Sequence, residues 1–286
     1  PAARATSDAC AVARAVIQGL APGAQHFILH PYPVNGFHAD YLHHADLAEA
    51  ARARVLGGSA SPGKRMRIRA DGNLAKMVGP DALGPGSDWD AAVEEIDRDA
   101  LLAGHEFVIN GTVGPPWLKS GWFHAYLLLA STLTDPAHRE RAAALAARLK
   151  GGSFANPAER INAERDLVRV LTANCQGAVA AFAPKREYYT AEYSEGVENI
   201  AFDSHTGLNS AIFIRTVKLK DFPWNGWLRL GVPSPPAAAW NPFGGFNDEA
   251  GRLIWWALGH PGMFPEPYGA GWILNRFGAV KPAAGP

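Results

Sequence analysis

The chain has 286 residues, 48% of them hydrophobic and 19% charged, with 27 basic and 27 acidic side chains. That is enough chain and apolar surface for a sizeable core, which excludes an intrinsically disordered protein. A formal net charge of zero excludes general electrostatic attraction to nucleic acid or to an anionic membrane.

The longest dense apolar run, residues 122–133, is interrupted by His124 and falls short of the roughly 20 residues a membrane-spanning helix needs. The two cysteines, Cys10 and Cys175, form one disulfide in an oxidising compartment or stand as two buried thiols. The chain starts at Pro1 rather than Met. Removal of a secretory signal fits that start, as does an arbitrary cut, and the first carries an expectation of a periplasmic or secreted protein.

Helical spacing dominates the first two thirds. Residues 7–19 predict a short helix, with Ala, Val and Ile at helical intervals. Residues 25–36 read as loop or short strand, and 39–56 as a second helix stopped by Gly57-Gly58. Residues 65–70 alternate basic and apolar side chains, as in an exposed strand. Arg65, Arg67 and Arg69 then share one face, where they hold an anionic group or simply guard an edge. Ser87 with Asp90 three positions on reads as a capping box opening a helix to about residue 103. Residues 105–110 predict a short strand. Further helices are expected over 117–132, over 136–149 ending at Gly151-Gly152, and from Asn156-Pro157 to about 182.

Beyond Pro184 the period changes. Residues 211–219 alternate, as do Leu228, Leu230 and Val232. Between them lies Trp224-Asn225-Gly226-Trp227, and Asn-Gly is the preferred pair for a two-residue type I′ turn. The expectation is a hairpin closed by facing indoles. Residues 233–245 read as loop, and Asn247-Asp248-Glu249 as a capped helix start running to 258. A Gly/Pro-rich, aromatic wrap ends the chain. The fold class is α+β: a predominantly helical N-terminal two thirds, then a C-terminal β-hairpin and a Gly/Pro/Trp-rich loop region. One domain is expected, with the place for a sub-boundary near residue 184.

The chemistry is sparse in motifs. Neither the phosphate-binding G-x-x-x-x-G-K-[ST] nor a strand-borne G-x-G-x-x-G occurs, and G-x-S-x-G, H-E-x-x-H and C-x-x-C-H are absent. His26, His30, His38, His43 and His44 crowd into 19 residues beside Asp40 and Asp46. On a helix, Asp40 shares a face with His43 and His44, so Asp40, His43 and His44 are candidate zinc or iron ligands. A polar helix face edged with histidines explains the same pattern. His124, among Trp122, Phe123, Tyr126 and Leu127, is desolvated and therefore neutral. It serves as a base, a haem or metal ligand, or a hydrogen-bond donor to a carbonyl.

The stretch 185–227 is richest in proton-transfer groups. Its candidate catalytic residues are Tyr189, Glu192, Tyr193, Glu195 and His205. Paired carboxylates suit glycosidic cleavage, and Tyr beside neutral His suits proton abstraction. A solvated acidic loop with packed tyrosines is the plain alternative. Trp224, Trp227 and Trp240, with His124, are candidate ligand-binding walls.

Three readings follow. The first is an extracytoplasmic enzyme or binding protein for a small organic ligand such as a saccharide, using carboxylate and tyrosine acid–base chemistry. The second is a non-catalytic accessory or structural subunit of a larger, membrane-associated assembly, with the Trp-rich C-terminal region meeting a protein partner. The third is a metal- or haem-dependent protein. The sequence identifies no cofactor, and the expected partner is a small molecule rather than nucleic acid.

Overall fold

A computed structural model of the chain describes residues 2–3, 9–20, 26–57, 66–78, 83–84, 89–109, 112–192, 196–222, 224, 226–232, 235, 248–259, 262–269 and 271–279. The elements begin with β1 (Ala2–Ala3), α1 (Ala9–Leu20), β2 (Ile28–Leu29) and α2 (Ala45–Leu56). Next come β3 (Ile68–Ala70), α3 (Gly72–Val78), β4 (Ala91–Val93), α4 (Arg98–Leu102), β5 (Phe107–Ile109) and β6 (Thr112–Gly114). The helical middle is α5 (Gly121–Leu129), α6 (Pro136–Gly151) and α7 (Pro157–Thr172). The remainder is β7 (Ala181–Phe182), β8 (Val197–Glu198), α8 (Ala211–Thr216), β9 (Lys218–Leu219), α9 (Glu249–Leu258), β10 (Met263–Pro265) and β11 (Trp272–Leu274). Helix is 46% and strand 11%, so the protein is a helix-dominated α+β fold, and β10 and β11 pair antiparallel as a C-terminal hairpin.

The chain divides into two units, residues 1–103 with 120–184, and residues 104–119 with 185–286. In the first, β4 is the central strand of the order β1-β4-β3, parallel to β3 and antiparallel to β1. Ala91, Ala92 and Val93 are all buried, so neither face of β4 meets water. Val16 and Leu20 of α1, Ile68 and Leu74 pack with it as one core cluster. A second part of this unit is helical, with α7 packed on α5 and α6. Ala163, Leu167, Val168 and Leu171 of α7 and Trp122, Phe123 and Leu129 of α5 are buried there. Local chemistry sets the helix ends. Asp135 accepts from the N–H of Ala137 to start α6, and Gly152, at φ 67°, supplies the left-handed residue that ends it. Asn156 accepts from the N–H of Glu159, with Pro157 in the first turn of α7. The cysteines are bonded: Cys10 on α1 and Cys175 beyond α7 form a disulfide.

In the second unit, β5 and β6 pair antiparallel with Ile109 opposite Thr112. β8 pairs with β9. Ser210 caps α8 through the N–H of Phe213, and Asp248 caps α9 through the N–H of Gly251. These helices meet around buried Ala211, Trp256 and Phe264.

Several expectations are corrected. Residues 87–103 are not one helix: β4 occupies 91–93, and the helix starts only at Asp97, whose carboxylate accepts from the N–H of Ala100. Asp90 accepts from the backbone and side chain of Arg67 instead. The expected helix over 39–56 is broken at His44, with a 3-10 turn Tyr41–His43 before α2. The helix from Pro157 stops at Thr172, well short of 182. Residues 211–216 are helix rather than strand. Residues 228–232 carry no strand, so the hairpin expected at Trp224–Trp227 does not form from the flanks assigned to it. Asn225 lies outside the described residues. A short apolar run such as Ala-Ile-Phe-Ile satisfies both periods, and here the Ser210 cap selects the helix. Among the described residues, no helix is long and apolar enough to cross a membrane.

Candidate functional site

In the second unit a tight turn over residues 203–210 precedes α8. Asp203 accepts from the N–H groups of His205 and Thr206, at 2.8 and 3.1 Å. Its backbone exchanges two hydrogen bonds with Gly207. Gly207 sits at φ 63°, and a Cβ there would fall 2.5 Å from the Glu187 carboxylate. That carboxylate accepts from the N–H of Leu208 at 2.7 Å, so Glu187 clamps the turn from outside. Lys119 holds it from another side, donating to Asp203 and to the carbonyl of Glu266. The Lys119–Asp203 pair is almost wholly buried, and such a pair fixes geometry more than it stabilises.

This turn presents its side chains to a small, open cleft whose lining includes Lys119, Asp203, His205, Asn209, Arg252 and Trp256. The His205 ring is buried, with Nε2 3.0 Å from Glu106 Oε1. A carboxylate on one ring nitrogen orients an imidazole, the arrangement general acid–base catalysis uses. Asn209 is 5% exposed, and neither its amide oxygen nor its amide nitrogen has a protein partner. A buried amide with both functions unspent is costly unless a ligand or water meets it.

A second polar cluster lies inside the first unit. The Asp40 carboxylate accepts from the N–H groups of Gly121 and Trp122, at 2.6 and 3.0 Å, and so caps α5 from a distant part of the chain. His44 is wholly buried; its Nδ1 is 2.9 Å from Tyr32 Oη, and its Nε2 has no hydrogen-bond partner. Glu164, also wholly buried on α7, takes His43 Nδ1 at 2.8 Å on one oxygen and Arg160 at 2.9 Å on the other. One ligand atom each from Asp40, His44 and Glu164 lies within 4.8 Å of the others, so these are the residues able to hold a metal ion. Burial pushes the Asp40 carboxyl up to about 6, against the pull of its two backbone N–H groups, and pushes His44 down to about 4. Burial likewise raises the Tyr32 phenol, which stays protonated. Nearby, His38 Nδ1 accepts from the N–H of Asn35, so its Nε2–H donates to His124 Nδ1 at 3.1 Å. Desolvation and the neighbouring His124 hold His38 neutral.

The candidates drawn from the sequence scatter. His205 lines the cleft. Tyr189 is 56% exposed and Glu192 is exposed on the surface, and neither lines it; Tyr193 and Glu195 lie outside the described residues. Trp224 and Trp227 are exposed, Lys218 standing over the Trp224 ring at 5.4 Å, and Trp240 lies outside the described residues. His124 is buried in the first unit beside His38. Asp40 and His44 come together as ligand-bearing groups, whereas His43 turns to Glu164. Sequence reasoning passed over Lys119, Asn209 and the pairing of Glu106 with His205, which no local pattern marks. Glu164 did have a signal. It lies three and seven residues before Leu167 and Leu171, on the buried stripe of α7.

Set against known proteins, the chain matches no family model, no curated protein and no solved structure. The chemistry of its own side chains is therefore the basis for function.

Proposed function

We propose that the second unit binds a small hydroxylated organic ligand, saccharide-like in its hydrogen bonding, in the cleft beside residues 203–210. His205, oriented by Glu106, moves a proton at that ligand. One observation carries the reading: a carboxylate-bound imidazole lines the same cleft as a buried Asn209 amide with both polar atoms unspent. Asn209 offers one donor and one acceptor set to a hydroxyl, the pairing that discriminates hydroxylated ligands from apolar ones. The Cys10–Cys175 disulfide supports an extracytoplasmic setting. Calorimetric titration with neutral monosaccharides, uronates and small hydroxy acids tests the reading. Saturable binding is expected, weakened ~10-fold by Asn209→Ala, about the worth of one or two hydrogen bonds. Glu106→Gln and His205→Ala are expected to abolish turnover of the bound ligand while sparing binding. Wild-type affinity retained by Asn209→Ala, or no binding across the panel, refutes it.

A specific observation supports a second reading, an interface with a protein partner. Trp224 is 77% exposed and Trp227 91%, with Phe222 and Tyr188 also largely uncovered. Exposed aromatic side chains grouped in sequence suit a surface that a partner covers. In this reading Trp227→Ser changes concentration-dependent association in sedimentation and leaves the His205 cleft unaffected.

A further inference from the structure

In the first unit, independently of the cleft, we propose that Asp40, His44 and Glu164 form a binding site for a divalent first-row transition ion, with His44 Nε2 and one oxygen of each carboxylate as ligands. His44 is the deciding residue. Its ring is wholly buried and its Nε2 has no partner, although two carboxylates face it, the nearer Asp40 oxygen being 3.8 Å away. That is too long for a hydrogen bond, so the nitrogen's bonding capacity is unspent where a polar atom is expensive to leave alone.

Everything else around the three groups supports them from behind. His44 Nδ1 meets the Tyr32 hydroxyl, the Asp40 carboxylate is held by two backbone N–H groups, and Glu164 is held by His43 and Arg160. Metal ligands are ordinarily steadied by such outer contacts, which fix the imidazole tautomer and the carboxylate plane. Glu164 is already paired with Arg160, so the buried Asp40 carboxylate is the group that gains most from an added positive charge, because buried ions are retained only when paired or metal-bound. The donor set of one nitrogen and two oxygens favours a zinc-like ion over calcium or magnesium, which prefer all-oxygen sites. Ligands at ~2.0–2.1 Å around a tetrahedral ion stand roughly 3.3 Å apart. Groups already within 4.8 Å therefore close on an ion through side-chain shifts on the order of an ångström.

The ion also dictates the tautomer. With metal on Nε2, the proton sits on Nδ1 and is donated to Tyr32 Oη. Without it, the Tyr32 hydroxyl can donate to Nδ1 and leave Nε2–H facing the carboxylates. The test uses the full chain stripped with a chelator, with Zn²⁺ added as probe in calorimetry and Co²⁺ in absorption. The proposal expects one equivalent of Zn²⁺, a rise in Tm, and cobalt d–d bands of a low-coordinate site. It expects His44→Gln and Glu164→Gln to weaken binding by at least ~100-fold, while His138→Ala, at a surface histidine, changes nothing. Where a variant is misfolded by circular dichroism, the wild-type ¹⁵N spectrum of His44 decides, since zinc on Nε2 shifts that nitrogen's resonance and leaves the proton on Nδ1. No stoichiometric binding by wild-type protein, equal binding by folded His44→Gln, or an unchanged His44 spectrum on adding Zn²⁺ overturns the proposal.

Discussion

Asp40 and His44 hold protons in reverse of the ordinary order. Burial raises Asp40 from 3.8 to about 6 and lowers His44 from 6.5 to about 4. In the metal-free protein between those values, the folded state keeps a neutral carboxyl and a neutral imidazole, while the unfolded chain has both charged. The signs of the two linkages are opposite. The raised Asp40 contributes stability present below pH 3.8 and lost as pH rises through 6. The depressed His44 contributes stability present above pH 6.5 and lost as pH falls through 4. Each state binds one proton across the window, so the pair leaves stability nearly flat with pH. Single variants unmask the slopes. Asp40→Asn should make stability rise between pH 4 and 6.5, and His44→Gln should make it fall, each by about 3 kcal/mol. Urea unfolding at half-unit pH steps measures this, and parallel profiles for the two variants would refute the assignment.

At the scale of elements, α5 begins where it does because its first N–H groups find Asp40 and because Gly121 has no side chain. A Cβ on Gly121 would lie 2.5 Å from Val34 Cγ1 and 2.8 Å from His38 Nδ1. Gly121→Ala should therefore destabilise by about 2 kcal/mol through overpacking. Val34→Ala should cost less in that background than alone, a non-additivity that a double-mutant cycle reads directly. Additive costs would mean that the two side chains do not compete for the space. None of this is legible from sequence, because Asp40 and Gly121 are 81 residues apart. What is legible is local. The starts of α7 and α9 stand in Asn156-Pro157 and Asp248, and the end of α6 stands in Gly152, because a cap is built by its own neighbours. Turn pairs are less self-sufficient. Asn225-Gly226 follows β9, which pairs with β8 rather than with anything after the turn, and residues 228–232 form no strand. An Asn-Gly pair favours a turn but cannot create the pairing that makes it a hairpin. Strand β4 was hidden for the opposite reason, since an Ala-Ala-Val run buried on both faces carries no alternation to read. The candidate sites follow the same rule. His205 and the Asp40/His44 pair stand out in sequence as clustered residue types, whereas Glu106, Asn209 and Glu164 acquire their roles only through distant partners.

For the whole molecule, the Cys10–Cys175 disulfide is the longest-range covalent constraint, with a sequence separation of 165. Both cysteines belong to the first unit, yet the loop they close includes residues 104–119 of the second. In the chain-entropy model, closing a loop of this length removes freedom from the unfolded chain worth about 5 kcal/mol. Native adjustment and residual structure usually reduce the measured value, so Cys10→Ala/Cys175→Ala should lose about 3–5 kcal/mol. The distribution of the loss is more informative than its size. Where the units open separately, the constraint acts only on the one that contains both ends. Amide exchange should then accelerate in α1, α5 and α7 of the double variant and remain unchanged in α8 and α9. Equal acceleration in both sets would mean that the two units unfold in one step, and that the bridge stabilises the His205 cleft as much as the Asp40 cluster. Reduced wild-type protein should reproduce the double variant, separating loss of the bond from loss of the cysteine side chains.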